Sequence, residues 1–234
     1  MELFNQHNYK NVPYNYPGGS GATVASAGCG ICAMCTALSA LGIKSTVESM
    51  VGDAYASDAR VNGGTSMARL GPYVAKKYNL NYETTSDENK LKSFLEKGGA
   101  AIANVGGDRT GYKGVFSDGG HYIDVLSWSG GYFKIYDVGE YAGKYSGSNS
   151  WRMEYLKRDG DFLLCSSEVL AKETENRSPN YYLFSMKSVG SIDEAVRILS
   201  EQGVITSPDY WKTAVDYVKN LDYLLIKMAE RIRA

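Results

Sequence analysis

Three residue types in this chain could together perform nucleophilic catalysis: a cysteine, a histidine and an acid. Cys29 lies between Gly28 and Gly30 at the start of an apolar helical pattern. Unpaired backbone N–H groups and the positive end of the helix dipole favour thiolate over thiol at such a position. The flanking glycines let the backbone turn sharply and let a substrate approach closely. We therefore expect Cys29 to be a nucleophile.

A thiolate needs an imidazole that accepts and returns its proton, and the imidazole needs a group that fixes its tautomer. The chain has two histidines. His7 lies in an irregular N-terminal arm, whereas His121 follows Gly119-Gly120 at the start of a strand pattern. We expect His121 to be the base and Gly120 to lie beside the substrate. A buried packing cysteine and an ordinary strand histidine are the alternatives for Cys29 and His121.

The orienting acid is chosen by the register of a predicted hairpin. Two strand patterns are separated by Ser129-Gly130-Gly131, which is a turn pattern. A three-residue turn places His121 and Asp137 on one face as diagonal neighbours about 7 Å apart, whereas a two-residue turn without a bulge does not. Asp124 is closer in sequence but points to the opposite face, where we expect it to pair with Lys134.

The four cysteines allow a second interpretation, which is a metal site. Cys29, Cys32 and Cys35 have a spacing known from iron–sulfur and zinc sites, and Cys165 could supply a fourth thiolate. These positions drift across a helix, however, and Cys35 falls within the apolar stripe. We therefore expect no metal and no other cofactor, with Cys32 and Cys35 as small packing residues.

The elements that must position these residues are a mixture of helices and strands. The cysteine helix should have one apolar stripe, and Gly106–Gly120 should be a loop that leads into the histidine strand. A capping box at Thr85 precedes a later helix, and Pro72 should lie near the first turn of the helix before it. We expect helices at 31–41, 46–58, 65–78 and 85–98, from 191 and from 207, and strands at 100–105, 121–128, 132–138, 162–166 and 181–186.

Composition limits the class of protein. The 234 residues are 44% hydrophobic and carry a net charge of −1, which suits one large core with a small helical addition. We divide the chain into 1–186 and 187–234. No basic patch indicates nucleic acid or anionic lipid, and no apolar stretch reaches the ~20 residues of a membrane helix. Because Met1–His7 lacks the pattern of a signal peptide, we expect synthesis in the cytoplasm.

Two motifs have the form of known peptidase motifs. One is Gly28-Cys29-Gly30-Ile31-Cys32-Ala33-Met34. The other is Gly119-Gly120-His121-Tyr122-Ile123, followed by Tyr136-Asp137-Val138-Gly139. They resemble the helix start and the Gly-Gly-His and Asp-Pro strands of papain-like peptidases related to the bacteriocin double-glycine leader peptidases. The likeness covers roughly residues 1–145, and Ile31 and Val138 stand where the family has proline.

The resemblance implies an α+β papain-like fold, in which the cysteine helix packs on an antiparallel sheet that carries the base and its orienter. It implies a triad of Cys29, His121 and Asp137. It also implies a glutamine that binds the oxyanion, and the segment from Gln6 to Tyr14 is similar to the family's glutamine and Pro-Tyr segment. Loss of such a donor typically costs ~100-fold or more in rate. A solvated arm residue is the alternative for Gln6.

The last 48 residues resemble another group of proteins less specifically. Around Gly203–Trp211 they are similar to the short helical tail of peptidoglycan amidases and endolysins of Gram-positive bacteria and their phages. This likeness implies wall attachment or assembly. A helical cap that packs on the catalytic domain, or that forms a homodimer, is the alternative.

These observations predict a cysteine peptidase that hydrolyses an amide bond in the peptide part of peptidoglycan, as a phage-type endolysin or autolysin that acts at the cell wall after release. One alternative is a leader-peptide or other protein-processing protease. Another is a non-catalytic wall-binding protein with a structural metal at the cysteine cluster. Wall peptidases with a third catalytic histidine are disfavoured, because only His7 remains to supply it.

Overall fold

Helices and one large antiparallel sheet make the first part of the chain an α+β unit. The structure is a computed structural model that describes residues 1–187 and 189–233. It divides into two units, Met1–Ser185 and Met186–Ala234. The helices of the first unit are α1 (Val24–Ala27), α2 (Cys29–Ala40), α3 (Val47–Ala56), α4 (Met67–Lys77), α5 (Glu88–Glu96) and α6 (Ser167–Thr174). Short 3-10 helices span Gln6–Asn8 and Gly147–Glu154.

The strands form one large sheet and one small hairpin. They are β1 (Arg60–Val61), β2 (Gly64–Thr65), β3 (Leu80–Thr85), β4 (Ala100–Val105), β5 (His121–Ser129), β6 (Tyr132–Tyr136), β7 (Leu156–Asp159), β8 (Phe162–Ser166) and β9 (Tyr181–Met186). Seven strands of the described residues form the large sheet in the order β3-β9-β4-β5-β6-β8-β7. β5 lies near its centre, where it pairs antiparallel with β4 and β6.

Helix α2 is buried on every side rather than along one stripe. All nine residues from Gly30 to Leu38 are buried. The helix packs against β5 and β4 of the large sheet, against α3, and against the small strand β2. Small residues such as Ala33 and Ala37 allow close approach on the faces that an amphipathic helix would leave to water. The prediction of a single apolar stripe is therefore wrong.

The turn between β5 and β6 is shorter than predicted. Ser129 pairs with Tyr132, so the loop consists of Gly130-Gly131 alone. Both glycines have positive φ, 57° and 83°, which a tight two-residue hairpin turn requires and which side chains disfavour. The expected three-residue turn is therefore wrong.

A β-bulge compensates for the shorter turn. The register of the β5–β6 pair shifts between Val125 and Ser127, so one residue of β5 has no partner. Because side-chain direction alternates along a strand, this extra residue restores the shared face of His121 and Asp137. Beyond the bulge, Trp128 packs against the core of the sheet. An unbroken alternation would place it on the opposite face, with Asp124.

Two smaller predictions about helices also need correction. Pro72 is the sixth residue of α4 and lies inside the helix, not in its first turn. Helix α5 is capped by Asp87, whose carboxylate accepts the backbone N–H groups of Asn89 and Lys90. Thr85 ends strand β3, so it is not the capping residue.

The second unit consists of packed helices. They are α7 (Ile192–Glu201), α8 (Pro208–Ala214) and α9 (Leu221–Arg233). The Ser191 hydroxyl caps α7 by accepting the Glu194 N–H at 3.2 Å. Asn220 has φ +63°, which interrupts the helical run just before α9. No helix in the described part of the chain combines the length and the apolar character needed to cross a bilayer.

Candidate active site

Cys29 is the first residue of α2 and remains partly exposed. The backbone N–H groups of Tyr122 and Gly30 donate to its sulfur, and the sulfur is also hydrogen-bonded to His121. Burial by itself raises the pKa of the Cys29 thiol. The hydrogen bond with His121, its positive charge and the two backbone donors outweigh burial, so the pKa lies below its ordinary value. The site therefore favours a thiolate.

His121 begins strand β5 and is 8% exposed. Its Nε2 lies 2.8 Å from Oδ1 of Asp137, which leaves Nδ1 for the thiol of Cys29. Burial lowers the pKa of His121, but its hydrogen bonds with Asp137 and Cys29 outweigh burial and raise the pKa to about 9. The lowered pKa of the thiol and the raised pKa of the imidazole both favour an imidazolium–thiolate pair.

Asp137 directly follows β6 and is almost completely buried, with 1% of its surface exposed. Oδ1 accepts hydrogen bonds from His121 and from the Gly139 N–H at 2.9 Å. Oδ2 accepts the Tyr145 hydroxyl and the Lys144 ammonium, each at 2.5 Å. Burial raises the pKa of this carboxyl, but the Lys144 charge and the His121 hydrogen bond outweigh burial and hold the pKa far below its ordinary value.

Lys144 and Tyr145 belong to the site, and sequence reasoning missed them. Lys144 is 6% exposed, and its Nζ lies 3.2 Å from the Gly139 carbonyl as well as beside Asp137. Both residues lie in the irregular segment after β6, where no periodic pattern marks a buried position. A lysine followed by a tyrosine in a polar loop is a pattern typical of solvent-exposed residues. Only the fold shows that they hold the acid in place.

Gln6 lies close to the histidine, in the 3-10 helix Gln6–Asn8. Its backbone N–H donates to the Val138 carbonyl at 2.8 Å, which fixes the arm beside the acid. Its side-chain Nε2 donates one hydrogen to the Ala25 carbonyl at 2.9 Å. The second N–H of that amide has no acceptor among the described residues, and the amide Oε1 is buried without a hydrogen-bond partner. The Cys29 N–H lies in the first turn of α2, where helical N–H groups have no carbonyl partner within their own helix.

Gln6 and His121 share the wall of one cleft, with a volume of about 230 Å³. The other side chains and glycines that line it are Phe116, Ser117, Asp118, Gly119, Gly139, Tyr141, Lys144 and Arg152. The segment Gly106–Gly120 forms part of this wall. The cleft is large enough for a short part of a peptide chain next to the base.

Buried charged groups anchor this loop. Glu173 is fully buried, and its carboxylate accepts the Tyr112 hydroxyl at 2.5 Å and the Val115 N–H at 2.7 Å. Arg152 is 5% exposed and donates to the Gly114 carbonyl at 2.7 Å and to Asp118 at 2.6 Å. The loop is thus held by side chains from distant parts of the sequence, which no local pattern indicated.

The glycines beside the cysteine have a packing role. Gly28 and Gly30 are both buried. A Cβ at Gly28 would lie 2.5 Å from the Val24 side chain, and one at Gly30 would lie 2.8 Å from Cβ of Thr65. Protein atoms therefore fill the side of each glycine on which a Cβ would lie, and substrate contact at Gly28 and Gly30 stays a prediction. Gly120, by contrast, is exposed just before the histidine strand.

Asp124 is not the surface partner of Lys134 that we expected. Lys134 pairs with Asp159 at 3.0 Å. Asp124 is fully buried, and within the described residues neither of its carboxylate oxygens has a hydrogen-bond partner. Burial, and then the negative charge of Asp137, raise the pKa of the Asp124 carboxyl well above its ordinary value. The surroundings of Asp124 therefore favour its neutral form.

In residues 1–187 and 189–233 no three or more candidate metal ligands come together, and the cysteine cluster is no exception. Cys32, Cys35 and Cys165 are buried free thiols. Burial raises the pKa of each. His7 lies near the triad, with Nε2 3.3 Å from the Gly139 carbonyl, and its ring packs edge-on against Tyr141.

Comparison with models of known protein families and with curated protein sequences gives no match to this chain. The geometry of the site and the resemblance of its motifs are therefore the observations that indicate a function.

Proposed function

We propose that the chain is a papain-like cysteine hydrolase that cleaves an amide bond in the peptide part of peptidoglycan. The observation that carries the proposal is the continuous row of hydrogen bonds from Cys29 through His121 to Asp137. The lowered pKa of the thiol and the raised pKa of the imidazole match a nucleophile and a proton donor. A cysteine-bearing helix packed on an antiparallel sheet that carries the base supports the papain-like assignment.

The proposed reaction has two steps. The Cys29 thiolate attacks the amide carbon and forms a C–S bond, while the carbonyl oxygen becomes an oxyanion that accepts the Cys29 N–H and the free N–H of Gln6. The C–N bond breaks as the His121 imidazolium gives its proton to the leaving nitrogen. The neutral imidazole then takes a proton from water, and the hydroxide attacks the thioester. This releases the carboxylic acid and restores the ion pair.

The substrate class rests on motif resemblance and on the helical second unit. The resemblance to endolysin tails suggests that this unit attaches the enzyme to the wall, takes part in assembly of the enzyme, or forms a homodimer. In the proposed role the protein is made in the cytoplasm and acts at the cell wall after its release. Residues 187–234 carry no net formal charge, so in the proposed role wall binding relies on aromatic and polar contacts and not on a cationic surface.

A turbidity assay on purified Gram-positive cell walls tests the proposal, followed by mass analysis of the released fragments. We expect the wild type to clear the walls and to release fragments with new amino and carboxyl ends. Cys29→Ala should clear them at least about 100-fold more slowly, because it lacks the nucleophile. Cys32→Ala is a matched control, because it removes a buried thiol from the same helix.

Two outcomes would count against the proposal in different ways. Equal clearing by the wild type and Cys29→Ala would show that the cysteine is not the nucleophile. No clearing by a wild-type protein whose Cys29 reacts rapidly with iodoacetamide at neutral pH would reject peptidoglycan as the substrate and retain the hydrolase site.

A further inference from the structure

A second pocket, larger than the active-site cleft, lies beyond the β1–β2 hairpin. Its volume is about 410 Å³. Arg60 and Arg69 line it, together with Asp58 and the aromatic rings of Tyr16 and Tyr55. The two rings are 44% and 42% exposed, so both can contact a ligand in the pocket. The proposed mechanism uses none of these residues.

The arginines give this pocket a net positive charge. Within the described residues neither Arg60 nor Arg69 takes part in an ion pair. Arg69 is exposed, and its Nη1 donates to the backbone carbonyl of Asp58 at 2.8 Å, which leaves the rest of its guanidinium for a ligand. The Asp58 carboxylate also lines the pocket and offsets one of the two positive charges. One positive charge remains, which suits a ligand with a single carboxylate.

The Arg60 guanidinium is held rigidly. It is 6% exposed, its Nε donates to the Tyr14 carbonyl at 2.9 Å, and its Nη1 donates to the Gly64 carbonyl at 2.9 Å. Its carbon lies 4.5 Å from the centre of the Tyr14 ring. Within the described chain its Nη2 has no hydrogen-bond partner. A fixed guanidinium with a free N–H group is well suited to carboxylates, since little side-chain entropy is lost on binding.

The hairpin connects this pocket to the nucleophile. Strand β1 carries Arg60, while Thr65 of β2 touches the start of α2 at Gly30, next to Cys29. Adjacent strands lie about 4.8 Å apart, so the backbone of Arg60 is roughly 10 Å from the start of α2. About three residues of extended peptide have that length. A peptide bound at Cys29 is therefore long enough to span the distance to Arg60.

We infer that this pocket binds a free carboxylate of the peptide substrate, about three residues from the bond that is cleaved. The inference rests on the proposed function, because it places the pocket on the substrate of Cys29. Arg60 and Arg69 bind the carboxylate, and the rings of Tyr16 and Tyr55 cover the adjoining apolar part of the peptide. The enzyme would thus select acidic peptides over their amidated forms.

Two forms of one probe test this inference. The probes are synthetic peptidoglycan stem peptides that are identical except that a free carboxylate in one is a carboxamide in the other. For the wild type we expect kcat/KM to be about tenfold higher with the carboxylate. Arg69→Gln should lower kcat/KM for the carboxylate about tenfold, so that the preference disappears. Lys76→Gln is the matched control, because it removes another exposed charge from α4.

Calorimetry with Cys29→Ala separates the pocket from the chemistry. We expect Cys29→Ala to bind the carboxylate more tightly than the carboxamide, and Cys29→Ala/Arg69→Gln to lose this difference. That result supports the pocket even if the wild type hydrolyses neither probe. The absence of hydrolysis would contradict the proposed function alone. Equal binding and equal hydrolysis of the two probes would overturn the pocket and leave the hydrolase proposal standing. An equal loss of kcat/KM for both probes in Arg69→Gln would also overturn the pocket, because such a loss indicates that Arg69 has a structural role.

Discussion

The Asp137 carboxylate faces both the base and a buried lysine, so exchanging it for an amide changes two properties at once. Asp137→Asn keeps the size of the side chain but removes the charge between His121 and Lys144. The reactivity of Cys29 and the stability of the fold should both fall. A second substitution can separate the two effects.

The expected loss of reactivity follows from the pKa of His121. Burial lowers this pKa, and the hydrogen bond with Asp137 is the largest of the effects that outweigh burial and raise the pKa from 6.5 to about 9. A difference of about 2.5 pH units corresponds to roughly 3 kcal/mol in favour of the imidazolium. Without this stabilisation of the imidazolium, the thiolate–imidazolium pair is a minor form. We expect Asp137→Asn to slow the alkylation of Cys29 at neutral pH by roughly 100-fold.

The expected loss of stability follows from Lys144. Its ammonium is 6% exposed and lies 2.5 Å from Oδ2 of Asp137. Removing one partner of such a buried pair costs about 3–5 kcal/mol, because the other charge is left uncompensated. The double variant Asp137→Asn/Lys144→Met removes both charges. We expect it to regain most of the free energy of unfolding while its Cys29 still reacts slowly.

The assay is alkylation by iodoacetamide, followed by the mass of the intact protein, with urea denaturation of the same samples. The buried thiols of Cys32, Cys35 and Cys165 are an internal control, since burial raises the pKa of each and a single addition is expected. A double variant that is as stable and as reactive as the wild type would refute the reasoning, because Asp137 would then not activate the histidine.

Four further predictions concern pH and buried carboxyls. Amide hydrolysis should decline as pH rises through about 9, because His121 then loses the proton that it gives to the leaving group; the pH profile of kcat/KM measures this. The stabilisation due to the raised pKa of His121 is complete below 6.5 and is lost as pH rises through about 9, which urea denaturation against pH detects. Burial, and then the charge of Asp137, raise the pKa of Asp124 above 3.8, so its contribution to stability falls above that pH. Asp124→Asn should therefore increase the free energy of unfolding at neutral pH and leave it unchanged in acid. Glu173→Gln should lower the free energy of unfolding by about 1–3 kcal/mol and slow hydrolysis, because it places an amide donor against backbone N–H groups of the loop; no loss in either measurement would contradict that anchoring role.

Two of the candidate catalytic residues could be selected from the sequence because each has a local pattern. Cys29 stands between glycines at a helix start, and His121 follows two glycines at a strand start. Asp137 needed the register of a hairpin. The structure places it on the expected face through a shorter turn and a bulge, two departures whose effects on register cancel. The unusually short strands β1 and β2 carry too few residues to show an alternation and were not predicted.

The supporting residues could not be selected in the same way. Lys144, Tyr145 and Arg152 lie in irregular or 3-10 segments, and Glu173 lies on a short polar helix. Polar side chains in such segments are normally solvated. Their burial here depends on loops that come from distant parts of the chain, which is information that neither spacing nor composition contains.

The bulge at Leu126 has a consequence for how this hairpin can vary. Side chains alternate with a period of two, so any odd change in the number of residues between His121 and Asp137 would turn the acid away from the base. A related chain whose loop has one residue more than Gly130-Gly131 should accordingly have a regular ladder at position 126. The length of this loop and the presence of the bulge should therefore change together. A one-residue insertion at the hairpin tip alone would turn Asp137 away from His121 in a protein that still folds.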